Sequence, residues 1–231
     1  MTIEVIAVTG IGEIHPGDDL AAIIAAAADL RGGDVVVVTQ KVVSKAEGRL
    51  VPVDPDDPAS RLAVIEAESV RVLRRRGDLV IVETRHGFVC ANAGVDLSNV
   101  DEGWAALLPV DPDRSARRIR DGLRAAAGVE VAVIVSDTFG RTWRRGVTDI
   151  AIGSAGIGPI LDLRGSVDDR GRELQATEVA VVDEIAGAAD LVMGKASGVP
   201  VAIVRGVDTG WFRRGDVRDE IVRPPAEDLF R

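Results

Sequence analysis

The sequence predicts a mixed α/β or α+β fold, and three observations carry that prediction. Strand-like and helix-like segments alternate along the whole chain. Two runs, Val35 to Thr39 and Val131 to Val135, are so apolar and β-branched that they read as buried strands. Two neighbouring segments, Leu79 to Glu83 and Phe88 to Ala91, look instead like a hairpin, which a purely parallel sheet does not contain. No linker divides the chain, so a second lobe is expected as an insertion, and no repeat of solenoid or propeller period is present.

Taken in order, Ile3 to Val8 alternates apolar and polar residues as a strand and runs into the turn Thr9-Gly-Ile-Gly12. After His15-Pro-Gly-Asp18, Asp18 or Asp19 caps an alanine-rich helix from Leu20 to about Leu30. Gly32-Gly-Asp34 turns the chain into the Val35 strand. Asp54-Pro-Asp-Asp-Pro58 is a surface loop before a helix expected to reach Arg76, and the hairpin follows. Asp111-Pro112 starts a helix, with a capping carboxylate and proline at the first helical position, and Gly128 ends it. The Val131 strand stops at Ser136-Asp-Thr138. Short strands around Ile150 and Leu161, a turn at Asp168 to Gly171, a helix from about Thr177 to Ala189 and a strand from Val201 to Val204 complete the pattern.

With 231 residues, 46% of them hydrophobic and 28% charged, the chain can bury a sizeable core. Its net charge of −9 argues against general nucleic-acid binding, which needs a basic face. Anionic substrates would then be held locally, by a metal, a few cations or loop amides. Cys90 is the only cysteine, which excludes an internal disulfide and suits a reducing cytoplasm. Met1 to Gly10 lacks the pattern of a signal peptide, and no apolar run is long enough to span a bilayer, so a cytoplasmic protein without membrane contact is expected.

Lys41, Lys45 and Lys195 are the only lysines among 28 basic residues, which marks each for a site wanting a compact ammonium, unless all three are incidental. Asp137 and Thr138 close a buried strand, where α/β proteins bind ligands, and offer the hard oxygens that Mg²⁺ and Mn²⁺ take; alternatively Asp137 only opens a turn. Gly94-Val-Asp-Leu-Ser-Asn99 holds Asp96 as a metal ligand and Asn99 as a base or phosphate contact, or forms an Asx-turn. Gly10-Ile-Gly-Glu-Ile14 would let amides approach a ligand, although it is neither a Walker loop nor G-x-G-x-x-G. Thr39-Gln-Lys-Val-Val-Ser-Lys45 puts Lys41 and Lys45 near the same rim, as phosphate partners or as a solvated strand end. Gly140 to Gly146 concentrates Arg141, Arg144 and Arg145 beside Asp137 as an anion cradle. Gly171 to Glu178 adds oxygen donors at Glu173, Gln175 and Glu178. His15 and His86 are isolated, without zinc-site spacing, and Cys90 reads as core.

Together these segments resemble the coenzyme F420-0:γ-glutamyl ligase family. The resemblance runs through Thr39 to Lys45, Glu47-Gly-Arg49, Gly94 to Asn99, Ser136-Asp-Thr-Phe-Gly-Arg141 and Thr177-Glu-Val-Ala180. It continues through Asp183 to Ala186, Met193-Gly-Lys195 and Pro200 to Gly206. It implies a single ligase domain over 1–231 of two intertwined lobes, in a fold particular to the family, and a homodimer. It also implies GTP-dependent attachment of L-glutamate to coenzyme F420-0, extended into a γ-linked tail through an acyl phosphate. Mg²⁺ or Mn²⁺ is the implied metal, with K⁺ as a further candidate ion. By matching positions, Asp96 and Asp137 would hold one metal and Thr138 a second. Asp137 and Lys45 would carry the chemistry. Ile11, Gly12, Glu13, Ile14, Gln40, Lys45 and Asn99 would contact GTP, and Gln175 would lie near the second metal or the phosphates. Gln40 departs from the hydroxyl residue common in relatives. Some relatives continue into a flavin-binding domain; this sequence leaves a free-standing ligase and an excised domain both open. A metal-dependent nucleotide phosphohydrolase and a silent nucleotide-binding module are the rival readings.

Overall fold

A computed structural model describes residues 2–229. In chain order the elements are β1 (Glu4–Val8), α1 (Leu20–Ala27), β2 (Val35–Thr39), α2 (Gln40–Ala46), β3 (Leu50–Pro52), α3 (Pro58–Ala67), β4 (Ser69–Arg76), β5 (Leu79–Thr84) and β6 (Val89–Ala91). They continue with β7 (Trp104–Ala106), α4 (Pro112–Ala127), β8 (Ala132–Arg141), β9 (Arg144–Ala155), β10 (Leu161–Asp162), β11 (Glu178–Val179), α5 (Val181–Met193), β12 (Val201–Arg205) and α6 (Val217–Glu220).

The two valine-rich runs, β2 and β8, form the parallel pair of a five-stranded sheet ordered β1-β12-β2-β8-β9, whose other pairings are antiparallel. Val35 to Val38 and Val131 to Val135 are at most 1% exposed, so they are buried strands as read, on both faces. Each such side chain contributes about 1.5–3 kcal/mol through burial. Aspartates start the covering helices: Asp19 accepts from the amides of Ala21 and Ala22, and Asp111 from that of Arg114. Gly128, at φ 68°, takes the left-handed conformation that ends α4.

Between the two parallel strands the chain makes a detour with its own core of Val53, Ile65, Val80, Val82, Ala93, Val95, Ala105 and Leu107. Two antiparallel sheets, β3-β7 and β4-β5-β6, and helix α3 surround it. It lies in the sequence between β2 and β8. Phe88 ties it to the main sheet, meeting Phe139 of β8 edge-on at 6.0 Å.

Several expectations are corrected. The helix predicted to reach Arg76 ends at Ala67, and Ser69 to Arg76 is a strand: its bonds are made by β5, and pairing overrides the helix preference of Leu and Arg. The Val131 strand does not stop at Thr138. It continues to Arg141 and turns into the twelve-residue β9, so the short strand near Ile150 is half of a long hairpin. Thr177 to Val179 does not begin a helix; Glu178 and Val179 pair with β10, and α5 starts at Val181 and ends at Met193. Thr39 to Lys45 is mostly the helix α2, and the short strands β3 and β7 are additions to the expected pattern.

Gly153 on β9 is where α4 begins to pack. A Cβ there would come within 2.4 Å of the Pro112 carbonyl oxygen. Gly153→Ala is expected to destabilise the protein by about 2 kcal/mol, or roughly 4–8 °C in Tm, in a thermal melt. An unchanged Tm would contradict this packing.

Candidate functional site

The carboxyl end of β2 lies in register with the middle of β8, Thr39 beside Ser136. Above them opens a cleft of about 1090 Å³. One rim is the turn after β1, Ile11 to Ile14, together with the segment 193–200 between α5 and β12. The other rim comes from the inserted core, through Asp96, Asn99, Val100, Asp101 and Trp104. Strand ends of a buried sheet are where α/β proteins bind ligands.

Of the residues nominated from the sequence, Ile11, Gly12, Glu13, Ile14, Gln40, Lys45, Asn99, Asp96, Asp137 and Thr138 all line this cleft. Gln175 does not. It is exposed in the connection between β10 and β11, and its neighbour Glu178 pairs with Arg164 at 3.2 Å. The arginine cradle is not beside Asp137 either. Because β8 and β9 run on as a hairpin, Arg141, Arg144 and Arg145 are carried to its exposed tip.

Helix α2 follows β2 without a loop and positions three polar side chains. Gln40, 2% exposed, accepts from the Ser44 hydroxyl at 2.8 Å, which orients its amide. Lys41 reaches across the cleft to Asp96 at 2.9 Å and Ser98 at 2.6 Å. Lys45 is buried and pairs with Glu13 of the opposite rim. Asp96 accepts from the Ser98 amide at 2.7 Å through one oxygen, which makes the Asx-turn, while its other oxygen takes Lys41. Burial would raise the pKa of Asp96, but Lys41 and Ser98 outweigh it and hold the carboxyl below its usual value. Asn99 sits at φ 53°, left-handed backbone that asparagine tolerates.

Asp137 behaves differently. Burial, then the charges of Asp149 and Asp96, push its pKa up to about 7 against the amide of Thr138 and the charge of Lys41. Among the described residues no basic side chain forms an ion pair with it. A divalent ion between Asp96 and Asp137 would supply the charge compensation that burial and the two neighbouring carboxylates deny this one. Among the described residues no group of three or more His, Cys, Asp or Glu is arranged to hold a metal. Mg²⁺ does not require one, since it commonly takes one or two carboxylates and completes its shell with phosphates and water.

Sequence reasoning missed Asp149, Asp190 and the placement of Lys195. Asp149 faces Thr138 across the β8-β9 pair and is 2% exposed. It accepts from Thr138 at 2.6 Å, from Ser136 at 3.1 Å and from Lys195 at 2.6 Å. Lys195 also reaches Asp190 at 2.9 Å and Thr138 at 2.5 Å. Partial burial opposes its charge, but Asp149 and Asp190 more than compensate and raise its pKa. The scarcity of lysine was the available signal, and all three lysines line the cleft.

The bland residues are bland. Burial pushes the Cys90 thiol up to about 12, with Asp137 adding to the effect, so it is no nucleophile at neutral pH. His86 donates to the Pro109 carbonyl at 2.9 Å and stacks on Phe88, with burial lowering its pKa. Among the described residues no helix is long and apolar enough to cross a membrane.

Comparison with known proteins shows the family. The family model described as F420-0:Gamma-glutamyl ligase matches residues 10–206. The chain is 43% identical to the coenzyme F420:L-glutamate ligase of Methanothermobacter thermautotrophicus, over all of both chains. It is 45% identical to the enzyme of the same name from Methanopyrus kandleri, over 95% of this chain and 94% of that one. To its counterpart in Methanocaldococcus jannaschii it is 42% identical, over 87% and 86%.

Proposed function

This chain belongs to the F420-0:gamma-glutamyl ligase family, and we propose that its cleft joins L-glutamate to the carboxylate of coenzyme F420-0, driven by GTP. The relatives carry that amide-forming ligase activity in their names. The observation that supports the finer reading is convergence. Residues from five separate stretches, Ile11 to Ile14, Gln40 to Lys45, Asp96 to Asn99, Asp137 to Thr138 and Asp190 to Lys195, face one another across a single space.

Forming an amide from a carboxylate requires activation, because the carboxylate is a poor acyl donor. In the proposed sequence a carboxylate oxygen of F420-0 attacks the γ-phosphorus of GTP. The bond to the bridging oxygen breaks, GDP departs and an acyl phosphate remains. The glutamate nitrogen then attacks the acyl carbon and loses a proton, and phosphate leaves with the former carboxylate oxygen. Repetition on the added glutamate extends a γ-linked tail. Lys45 acts as a point charge on the phosphates. The Gly10 to Ile14 turn offers backbone amides, Asn99 positions the nucleotide, and the amide of Gln40 serves where relatives use a hydroxyl. Asp96 and Asp137 would hold Mg²⁺ or Mn²⁺, which would neutralise phosphate charge. The protein's part is to align donor and acceptor and to keep water from the acyl phosphate.

The test incubates the protein with GTP, F420-0 and Mg²⁺ or Mn²⁺, with and without L-glutamate, and follows the cofactor by mass spectrometry. A glutamate-dependent mass gain accompanied by GDP is the expected result. GTP loss with an unchanged cofactor would instead mark a phosphohydrolase, and binding without turnover a silent module.

A homodimer is part of the same proposal. Trp143 and Val147, 84% and 61% exposed at the tip of the β8-β9 hairpin, support it as an apolar surface for a second copy. Light scattering should give twice the 24.3 kDa mass of the chain; a monomeric mass would reject it.

A further inference from the structure

We infer that Trp104 and Asp101, on the inserted rim of the cleft, form the subsite for the guanine base, Trp104 stacking on its face and Asp101 accepting from its edge. The inference deepens the proposed use of GTP and rests on it.

The shelf is built by strand register. In the β3-β7 pair Leu50 lies opposite Ala106, Val51 opposite Ala105 and Pro52 opposite Trp104. Val51 and Ala105 pack into the inserted core. Alternation along a strand then turns Leu50 and Trp104 to the other face, and both line the cleft, as does Val100. Trp104 is 42% exposed. An aromatic face left open to a cleft is a platform on which a planar ring stacks.

A turn sets Asp101 close to it. The Trp104 amide donates to the Asp101 carbonyl at 3.1 Å, and Gly103, third in that turn, has a φ of 81°, which glycine adopts without strain. The Gly103 carbonyl accepts from the Val53 amide at 2.9 Å, which fastens the turn to the end of β3. Asp101 is exposed and lines the cleft. The three lysines of the cleft are engaged elsewhere, Lys41 with Asp96, Lys45 with Glu13 and Lys195 with Asp149 and Asp190. Among the described residues none forms an ion pair with Asp101.

A carboxylate without a counter-charge repels phosphate and carboxylate groups and accepts from N–H donors. Guanine offers N1–H and its 2-amino group side by side on one edge, a match for two carboxylate oxygens. Adenine has an unprotonated N1 there and no 2-amino group. The deazaflavin ring of F420-0 has one N–H between two carbonyls, which a carboxylate repels. The pair therefore selects guanine. Ala106 bridges Asp96, so Trp104, two residues earlier, stands about 7 Å along β7 from the proposed metal end. That separation leaves room for a ribose between a base on the shelf and phosphates near Asp96.

The test titrates the full chain calorimetrically, with Mg²⁺, using the β,γ-imido analogues of GTP, ATP and xanthosine triphosphate. Xanthine carries an oxygen in place of the 2-amino group of guanine, so an asparagine amide can donate to it while accepting from N1–H. The wild type is expected to prefer the GTP analogue. Asp101→Asn should weaken that analogue by roughly 10- to 150-fold and gain affinity for the xanthine analogue, a reversal that a purely structural Asp101 would not produce. Trp104→Ala should weaken the GTP analogue by roughly 5- to 150-fold. Unchanged GTP affinity in Asp101→Asn, or a loss with no gain for xanthine, would overturn the inference. Equal wild-type affinity for the GTP and ATP analogues would also overturn it. So would a Trp104→Ala variant, folded by circular dichroism, that binds the GTP analogue normally; weaker binding of F420-0 in its place would give the shelf to the other substrate. Asp101 is exposed, so its variant leaves the core alone and decides the matter if Trp104→Ala does not fold. A wild type that prefers the ATP analogue, or binds none of the three, would remove the GTP reading itself and the inference with it.

Discussion

Asp137→Asn is expected to lower ligase turnover by roughly 10³-fold, equivalent to about 4 kcal/mol of transition-state stabilisation. The substitution keeps the shape of the side chain and removes only the charge on which the proposed cation between Asp96 and Asp137 would depend. The same change should help the metal-free fold. Asp137 has a pKa raised from 3.8 to about 7 by burial and by Asp149 and Asp96. A raised folded pKa gives stability that is fully present below the unfolded value and lost as pH rises through the folded one. The permanently neutral asparagine escapes that loss. Metal-free Asp137→Asn should therefore melt higher than wild type at pH 8, and the difference attributable to this group should vanish towards pH 3. Added Mn²⁺ should raise the Tm of the wild type and not that of the variant. Loss of activity together with a lower Tm at pH 8 would mean that Asp137 holds the fold and not a cation.

Lys45→Met is the second large effect. Methionine keeps the packing of the stem, which is buried at the base of the cleft, and deletes the ammonium. A hydrogen bond to a charged group contributes about 1.5–3 kcal/mol, so affinity for GTP should weaken by roughly 10- to 150-fold. Glu13, which loses its partner, is mostly exposed and remains solvated, so little destabilisation should accompany the change. Calorimetric titration with the β,γ-imido analogue measures it directly. Unchanged affinity with reduced turnover would move Lys45 from nucleotide binding to the transfer step.

How much of the fold is legible in the sequence depends on what decides each element. The β2 and β8 strands declare themselves because valine and isoleucine runs suit a strand buried on both faces. The aspartate-capped helices α1 and α4 do so through residues that act on their own termini. Ser69 to Arg76 reads as helix because its leucine and arginines favour one, and only β5, further along the chain, supplies the partners that make it a strand. Helix α2 is seven residues long and carries two β-branched valines, too little local signal to separate it from a strand end.

The site divides in the same way. Lys45, Asp96, Asn99, Asp137 and Thr138 lie in segments whose polar residues suit a ligand contact or a local turn equally well, and it is the resemblance to the ligase family that nominates them together. Asp149 lies within a strand like any other polar residue. Only the register of β8 against β9 brings it to Thr138, and only the glycine turn after α5 brings Lys195 to both. Gln175 is nominated by resemblance, with no local signal of its own, and it does not line the cleft.

The most direct measurement follows an oxygen atom. F420-0 labelled with ¹⁸O in its reacting carboxylate would be turned over with GTP and L-glutamate, and the released phosphate analysed by mass spectrometry. Activation of the carboxylate by GTP in this cleft predicts one ¹⁸O in phosphate for the first glutamate added, and none from later additions, which activate the unlabelled carboxylate of the preceding glutamate. Amide formation with no ¹⁸O in phosphate would contradict it, because the carboxylate would then never have been phosphorylated.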